Sequence, residues 1–211
     1  IATRDGVLTS TTATAAAALP KAGGTMTGNL ATAGISAVTA GTSNFVAGVN
    51  AGNSITSGGN YNTTVGDEAG TAITTGDANV AFGYQSLVAN ATTANNTAVG
   101  YQSLYSNVTN NNTGLGWKAG YAITTGAQNT AIGHASLLAT TTGATNTAVG
   151  FTALTSNTTG ASNTAVGNES LTANTTGGAN TALGKGALQS NTTASYNVAV
   201  GQGAGDAITT G

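Results

Sequence analysis

The chain has 211 residues, of which 137 are Thr, Ala, Gly or Asn and only 10 are charged, for a net charge of −2. Ordinary domains have roughly a quarter of their residues charged, and an enzyme core needs more large apolar residues. The absence of cysteine excludes disulfide scaffolds and thiolate metal sites, and four cations cannot form the basic surface that nucleic acid requires. The composition leaves a linker or a repetitive β-structure.

Residues 1–43 differ from the rest and are predicted to form an N-terminal connector. Val7 to Leu19 is rich in Thr and Ala, which predicts a short helix that ends at Pro20. The Gly23-Gly24 pair then predicts a turn before a short strand. No apolar run approaches the length of a membrane span and no signal peptide is visible, so membrane insertion is not expected.

From residue 44 onward the chain repeats the unit Asn-Thr-Ala-Val-Gly, with nine regular copies that begin at Asn62 and a degenerate copy at Asn44. The closing glycines lie 17 residues apart, except for one step of 16 between Gly100 and Gly116. Seventeen residues are too few for a helix pair and fit one coil of a β-solenoid. The repeats therefore predict an all-β fold, a parallel β-roll or β-solenoid of about ten coils over residues 44–211.

The pattern inside each repeat predicts how a coil is built. The strand period of two places Thr and Val on one face and Ala and Gly on the other. The bulkier face, with Thr97 and Val99, is predicted to point inward and to meet Leu104 from a second short strand. The small Ala and Gly face is predicted to pack against other copies of the chain. A Thr-rich turn ends the coil, with Gly160 and its equivalents expected at positive φ.

The Asn that opens each repeat is the most constant polar residue. Stacked coils would bring its amide groups into a ladder of hydrogen bonds, as in other cross-β stacks. We expect this ladder to be structural. Its predicted members are Asn79, Asn96, Asn112, Asn129, Asn146, Asn163, Asn180 and Asn197.

The residue after the repeat glycine is the most informative variable position. Five consecutive coils carry a ring there, and stacking would align the rings in a column. One interpretation is a structural ladder stabilised by offset ring stacking. The other is a flat surface that binds sugars of a host envelope. On that second interpretation, the predicted receptor-binding residues are Tyr84, Tyr101, Trp117, Lys118, His134 and Phe151.

Neither catalysis nor metal binding is predicted. His134 is the single histidine, and the pattern marks no partners for a catalytic triad. Asp67 and Glu68 form the one adjacent carboxylate pair, which is typical of a solvated corner. The Asp that calcium-binding β-rolls place in each coil is missing. We therefore expect no enzymatic activity and no cofactor.

Two resemblances rest on these residues. The segment from Leu19 to Leu30, which contains Gly-Gly-Thr-Met-Thr-Gly, resembles a motif of bacteriophage tail fibres. The Asn-Thr-Ala-Val-Gly repeats resemble the head repeats of trimeric autotransporter adhesins and the repeats of phage fibres that end in a self-cleaving chaperone. Those adhesin heads are trimers of left-handed parallel β-rolls, so the resemblance implies a left-handed homotrimer. The period of 17 is longer than in the adhesins, which implies a longer turn.

These features predict a phage tail fibre segment that acts as a rigid homotrimeric shaft and presents a host-recognition surface. The expected partners are identical chains, other tail proteins of the virion and host cell-surface glycans, and the expected location is the virion tail. The alternatives are a bacterial trimeric surface adhesin or extracellular filament, and an ice-binding β-solenoid. Ice binding needs a Thr-x-Thr array on an exposed strand, whereas the adjacent Thr pairs fall in predicted turns. Because the pattern runs to the last residues, we expect the chain to be part of a longer protein.

Overall fold

The computed structural model describes residues 35–36 and 40–210, with side chains from residue 40 onward. The predicted helix before Pro20 and the tail-fibre motif lie outside the described residues. The described part is all-β and contains no helix, and so none that is long and apolar enough to cross a membrane. Its strands are β1 (Ile35–Ser36), β2 (Phe45–Ala47), β3 (Thr63–Val65), β4 (Val80–Phe82), β5 (Thr97–Val99), β6 (Thr113–Leu115), β7 (Thr130–Ile132), β8 (Thr147–Val149), β9 (Thr164–Val166), β10 (Thr181–Leu183) and β11 (Val198–Val200).

Strands β2 to β11 form one parallel sheet in chain order, which confirms the predicted β-solenoid. Each strand pairs in register with the equivalent strand of the next coil, so that Ala131 lies opposite Ala148. The short β1 caps the first edge of this sheet by antiparallel pairing with β2. The 16-residue step leaves the register intact, because Thr97 still lies opposite Thr113.

The shortened coil absorbs its missing residue in the turn. The Asn107 side-chain amide donates to the carbonyl of Thr109, two residues further along. In a full coil, Asn157 reaches the carbonyl of Gly160, three residues further along. A deletion in a turn is compatible with stacking because only the strand and its flanking residues must match the next coil.

The prediction that the Thr and Val face points inward is wrong. Ala98 is fully buried, whereas the flanking Thr97 and Val99 are partly exposed. The coil interior is already occupied by leucine: a Cβ on Gly114 would lie 2.9 Å from Cγ of Leu104. Only a small side chain fits beside it, so the alanine methyl lies inside and the larger residues lie outside. The alanines therefore cannot form the predicted contact between chains.

Each coil contains one strand, and the predicted second strand is not formed. Leu104 is buried inside the coil as predicted, but it has a φ of 49° and Gln102 has a φ of 52°. Residues in this left-handed region cannot continue an extended strand. The chain after Gly100 therefore folds into successive tight turns that carry the leucine back under the strand.

Positive φ occurs at the strand-ending glycine rather than at the turn glycine where it was expected. Gly150 has a φ of 140°, and a Cβ there would lie 2.6 Å from the carbonyl carbon of Gly167 in the next coil. Gly160 is outside the left-handed region. It is glycine for lack of space, because a Cβ would collide with Oδ1 of Asn157 and the carbonyl oxygen of Gly177.

Two kinds of coil fill the same interior with different residues. Six of the ten coils place a leucine inside, and in five of them an asparagine follows three residues later, as Leu154 and Asn157 do. The other kind has glycine and isoleucine at these positions, as in Gly120 and Ile123. A Cβ on Gly120 would lie 2.9 Å from Cδ1 of Ile123, so the isoleucine takes the volume that leucine fills elsewhere.

This exchange predicts that Gly120→Leu lowers the free energy of unfolding by about 1–3 kcal/mol, the usual effect of overpacking a core. Adding Ile123→Asn makes the coil Leu/Asn in type and should recover much of that loss. Urea unfolding of the single and double variants measures both effects. Equal destabilisation of the two variants would contradict the exchange.

Candidate functional site

The repeat asparagines form a continuous buried ladder along the solenoid. The backbone N–H and the side-chain Nδ2 of Asn146 both donate to Oδ1 of Asn129, at 2.9 and 3.2 Å. Nδ2 also donates to the carbonyl of Gly160 at 2.9 Å, and Oδ1 accepts the N–H of Asn163 at 2.9 Å. The same backbone-to-side-chain bond joins Asn79, Asn96, Asn112, Asn129, Asn146, Asn163, Asn180 and Asn197.

A second polar column lies inside the coils and was not recognised from the sequence. Asn174 donates from Nδ2 to Oδ1 of Asn157 at 3.0 Å, and Asn191 donates to Asn174 at 3.3 Å. Thr140 replaces asparagine in one coil and accepts from Asn157 at 3.2 Å. The 17-residue spacing of these asparagines was the available signal.

The ladder predicts a large effect for Asn146→Ala. The change leaves the buried N–H of Asn163 without its acceptor, which costs about 1–3 kcal/mol, and it removes one of the two amide donors to the carbonyl of Gly160. With the cavity left by the side chain added, we expect a loss of about 2–4 kcal/mol in the free energy of unfolding. The matched control is Asn53→Ala at an exposed position, which should change stability by less than about 0.5 kcal/mol. Similar urea midpoints for the two variants would exclude the ladder as a stabilising element.

The five predicted ring residues occupy equivalent positions in successive coils and form two stacks, a pair and a triplet, together called the aromatic column. Tyr84 stacks on Tyr101 with centroids 5.5 Å apart. His134 stacks between Trp117 and Phe151, with centroids 4.5 and 5.0 Å away. Because the rings stack along the fibre axis, their faces meet one another, and the column presents ring edges and polar tips to solvent. These stacks therefore do not present a broad flat surface of ring faces.

A second aromatic pair lies beside this column and was missed in the sequence. The rings of Tyr105 and Tyr121 stack with centroids 5.1 Å apart. Each follows a residue of the aromatic column by four positions, namely Tyr101 and Trp117. That shared offset was the signal in the sequence, but only the turn geometry shows that the two columns run side by side.

Lys118 joins the two columns. Its ammonium nitrogen lies 4.8 Å from the ring centroid of Trp117 and 5.0 Å from that of Tyr121. Cation–π contacts of this length are attractive. They hold the ammonium group between the rings.

Lys118 also belongs to a polar column that runs beside the aromatic column. Gln102 donates from Nε2 to Oε1 of Gln85 at 2.7 Å, and Gln85 donates to Oε2 of Glu68 at 2.6 Å. We call Glu68, Gln85, Gln102 and Lys118 the polar column. Partial desolvation, and then the nearby Glu68 carboxylate, raise the pKa of Tyr84 above its ordinary value, so its phenol keeps its proton at neutral pH.

No cluster of three or more His, Cys, Asp or Glu side chains that could hold a metal ion occurs in the described part of the chain. Comparison with protein-family models, with curated proteins and with solved structures finds no match to this chain. The functional argument therefore rests on the surfaces of the solenoid.

Proposed function

We propose that this chain is a segment of a phage tail fibre, a rigid homotrimeric shaft that carries a host-recognition surface on its side. The resemblance of its N-terminal motif to tail fibres supports the assignment to phage, and the resemblance of its repeats to adhesin heads supports three chains and a left-handed coil. The observation that carries the proposal is an exposed apolar column on the outer face of the sheet.

This outer column consists of the last residue of each strand from β3 to β11. Large apolar side chains are exposed in it, including Phe82 at 53%, Leu115 at 45% and Leu183 at 47%. At a strand spacing of ~4.8 Å, its eight steps extend over roughly 38 Å. Contiguous apolar surfaces of this extent are uncommon on soluble monomers and mark interaction sites. Its members are Val65, Phe82, Val99, Leu115, Ile132, Val149, Val166, Leu183 and Val200.

A second copy of the chain is the partner that matches this column best. Every coil repeats the same outward position, so an identical chain in the same register offers an apolar side chain at every level. Cyclic symmetry brings equivalent columns together around an axis and closes the assembly. The interface between the chains would then bury apolar area, which a coil with one leucine or isoleucine buries little of by itself.

The hydrogen-bond pattern suits a mechanical role. Each coil is bonded to the next through its strand, its asparagine ladder and several turn threonines; Oγ1 of Thr158, for example, donates to the carbonyl of Thr175. In stacked repeats, stability is approximately the sum of unit and neighbour terms. Length can therefore grow without a larger core, as a spacer requires.

Ice binding remains as a second candidate because one observation favours it. The first residue of six consecutive strands is threonine, and these residues lie on the same outer sheet face as the apolar column. One of the two threonine columns of a Thr-x-Thr array is thus present, and an aliphatic residue takes the place of the second threonine. A trimer would bury this face, so the two functions exclude each other. The six residues are Thr97, Thr113, Thr130, Thr147, Thr164 and Thr181.

The oligomeric state tests the proposal. We expect light scattering after gel filtration to give three chains per particle for the protein. The double variant Ile132→Lys/Val149→Lys should dissociate to monomers, because it places two charges per chain in an apolar interface. Thr159→Lys, at an exposed turn residue, is the control and should remain trimeric.

A monomeric parent protein would overturn the trimeric shaft, and a trimeric Ile132→Lys/Val149→Lys variant would place the interface elsewhere. If the parent protein is monomeric, thermal hysteresis of ice growth in the same samples would support ice binding.

A further inference from the structure

We propose that the aromatic column, the Tyr105–Tyr121 pair and the part of the polar column from Gln85 to Lys118 form one binding strip for an acidic oligosaccharide that lies along the fibre axis. Lys118 binds the carboxylate of a uronic-acid type of sugar at the centre of the strip. The inference rests on the proposed host-recognition role and specifies its ligand.

The arrangement of the strip follows from the contacts of Lys118. Because its ammonium lies within 5.0 Å of Trp117 and of Tyr121, Lys118 has an aromatic ring on either side. The amides of Gln85 and Gln102 continue the strip along the fibre axis and are aligned by the hydrogen bond that Gln102 donates to Gln85. An extended chain of sugar rings fits such a strip. The aromatic ring edges can contact the apolar C–H groups of a pyranose, and the amides can bond its hydroxyls.

The strip contains polar groups that the protein leaves without partners. Within the described part of the chain, the hydroxyls of Tyr84, Tyr101, Tyr105 and Tyr121, the indole N–H of Trp117 and the ammonium of Lys118 make no hydrogen bond or ion pair. Exposed groups of this kind are hydrated, and ligand hydroxyls replace such water at modest cost. Tyrosine and tryptophan combine this polar tip with apolar area, which is why they are enriched at interfaces.

The charge at the centre of the strip selects an acidic ligand. The carboxylates at the equivalent turn positions of other coils, Asp67, Glu68 and Glu169, each lie three coils from Lys118, roughly 14 Å at the spacing of parallel strands. This exceeds the screening length of ~8 Å at physiological ionic strength. Glu68 also accepts a hydrogen bond from Gln85. The Lys118 ammonium therefore retains its attraction for an anionic group of a ligand.

The rings occupy only part of the fibre, and this favours a binding role over a purely stabilising one. Coils beyond Phe151 are stacked in the same register, yet they carry Asn168, Lys185 and Gln202 in place of rings. A ladder that served stability alone would be equally useful there. The restriction of rings, amides and lysine to neighbouring coils is what a binding site requires.

Trp117 is the single tryptophan, so its fluorescence reports on the strip directly. The protein is titrated with hexagalacturonate and, as a neutral ligand of equal length, with cellohexaose. We expect hexagalacturonate to change the emission of Trp117 and to bind more tightly than cellohexaose. Lys118→Gln should weaken hexagalacturonate binding at least about tenfold, the size of one charge-assisted hydrogen bond, and leave cellohexaose binding unchanged.

Lys185→Gln is the matched control, since Lys185 is an exposed lysine in a coil that has no ring in the strip, and it should bind hexagalacturonate as the parent protein does. Tyr121→Ala should weaken the binding of both oligosaccharides. Tyr196→Ala, at an 85% exposed tyrosine outside the strip, should weaken the binding of neither.

The proposal is overturned if neither oligosaccharide changes the emission, if cellohexaose binds as tightly as hexagalacturonate, or if Lys118→Gln and Lys185→Gln behave alike. Light scattering on the same samples separates the two proposals. A trimer without ligand-dependent emission refutes the strip and leaves the shaft intact, whereas a monomer refutes the shaft.

Discussion

The structure depends on one constraint: a buried amide needs a hydrogen-bond partner, and here the partner is the same residue one coil further along. An unsatisfied buried amide costs more than most single contacts contribute. Asn129, Asn146 and Asn163 can all be buried only if each coil is placed directly on the previous one. The ladder therefore sets the register that the parallel strands then follow, and it penalises any slip by a residue.

The narrow interior is the second determinant. A coil closed by successive left-handed residues has room for one large apolar side chain, as Leu154 shows, and otherwise only for alanine methyls and the stacked asparagines. The larger strand residues are consequently turned outward. This explains why a chain with so few large apolar residues still exposes an apolar column, and why association of identical chains is the natural way to cover it.

Stacking also converts each position of the repeat into a stripe along the fibre. Positions that face inward, such as the asparagine ladder, must stay nearly constant because each coil is the template for the next. Positions on the outer turns are free to vary, and variation there creates local surfaces without disturbing the shaft. The aromatic column, with Lys118 between it and the Tyr105–Tyr121 pair, is such a surface, confined to a few coils of an otherwise uniform fibre.

The sequence by itself determined the period, the stacked parallel coils, the shared column of repeat asparagines and the burial of Leu104. These follow from the spacing of residues, which can be read directly from the amino-acid sequence. Only the tertiary structure decided that Ala98 lies inside and Val99 outside, that no second strand forms, and that Lys118 lies between two columns of rings. The alternation of a strand shows which residues share a face but not which face is interior. That choice depends on the width of the coil, which is set by the left-handed turns around Gln102 and Leu104 and by the leucine that they bury.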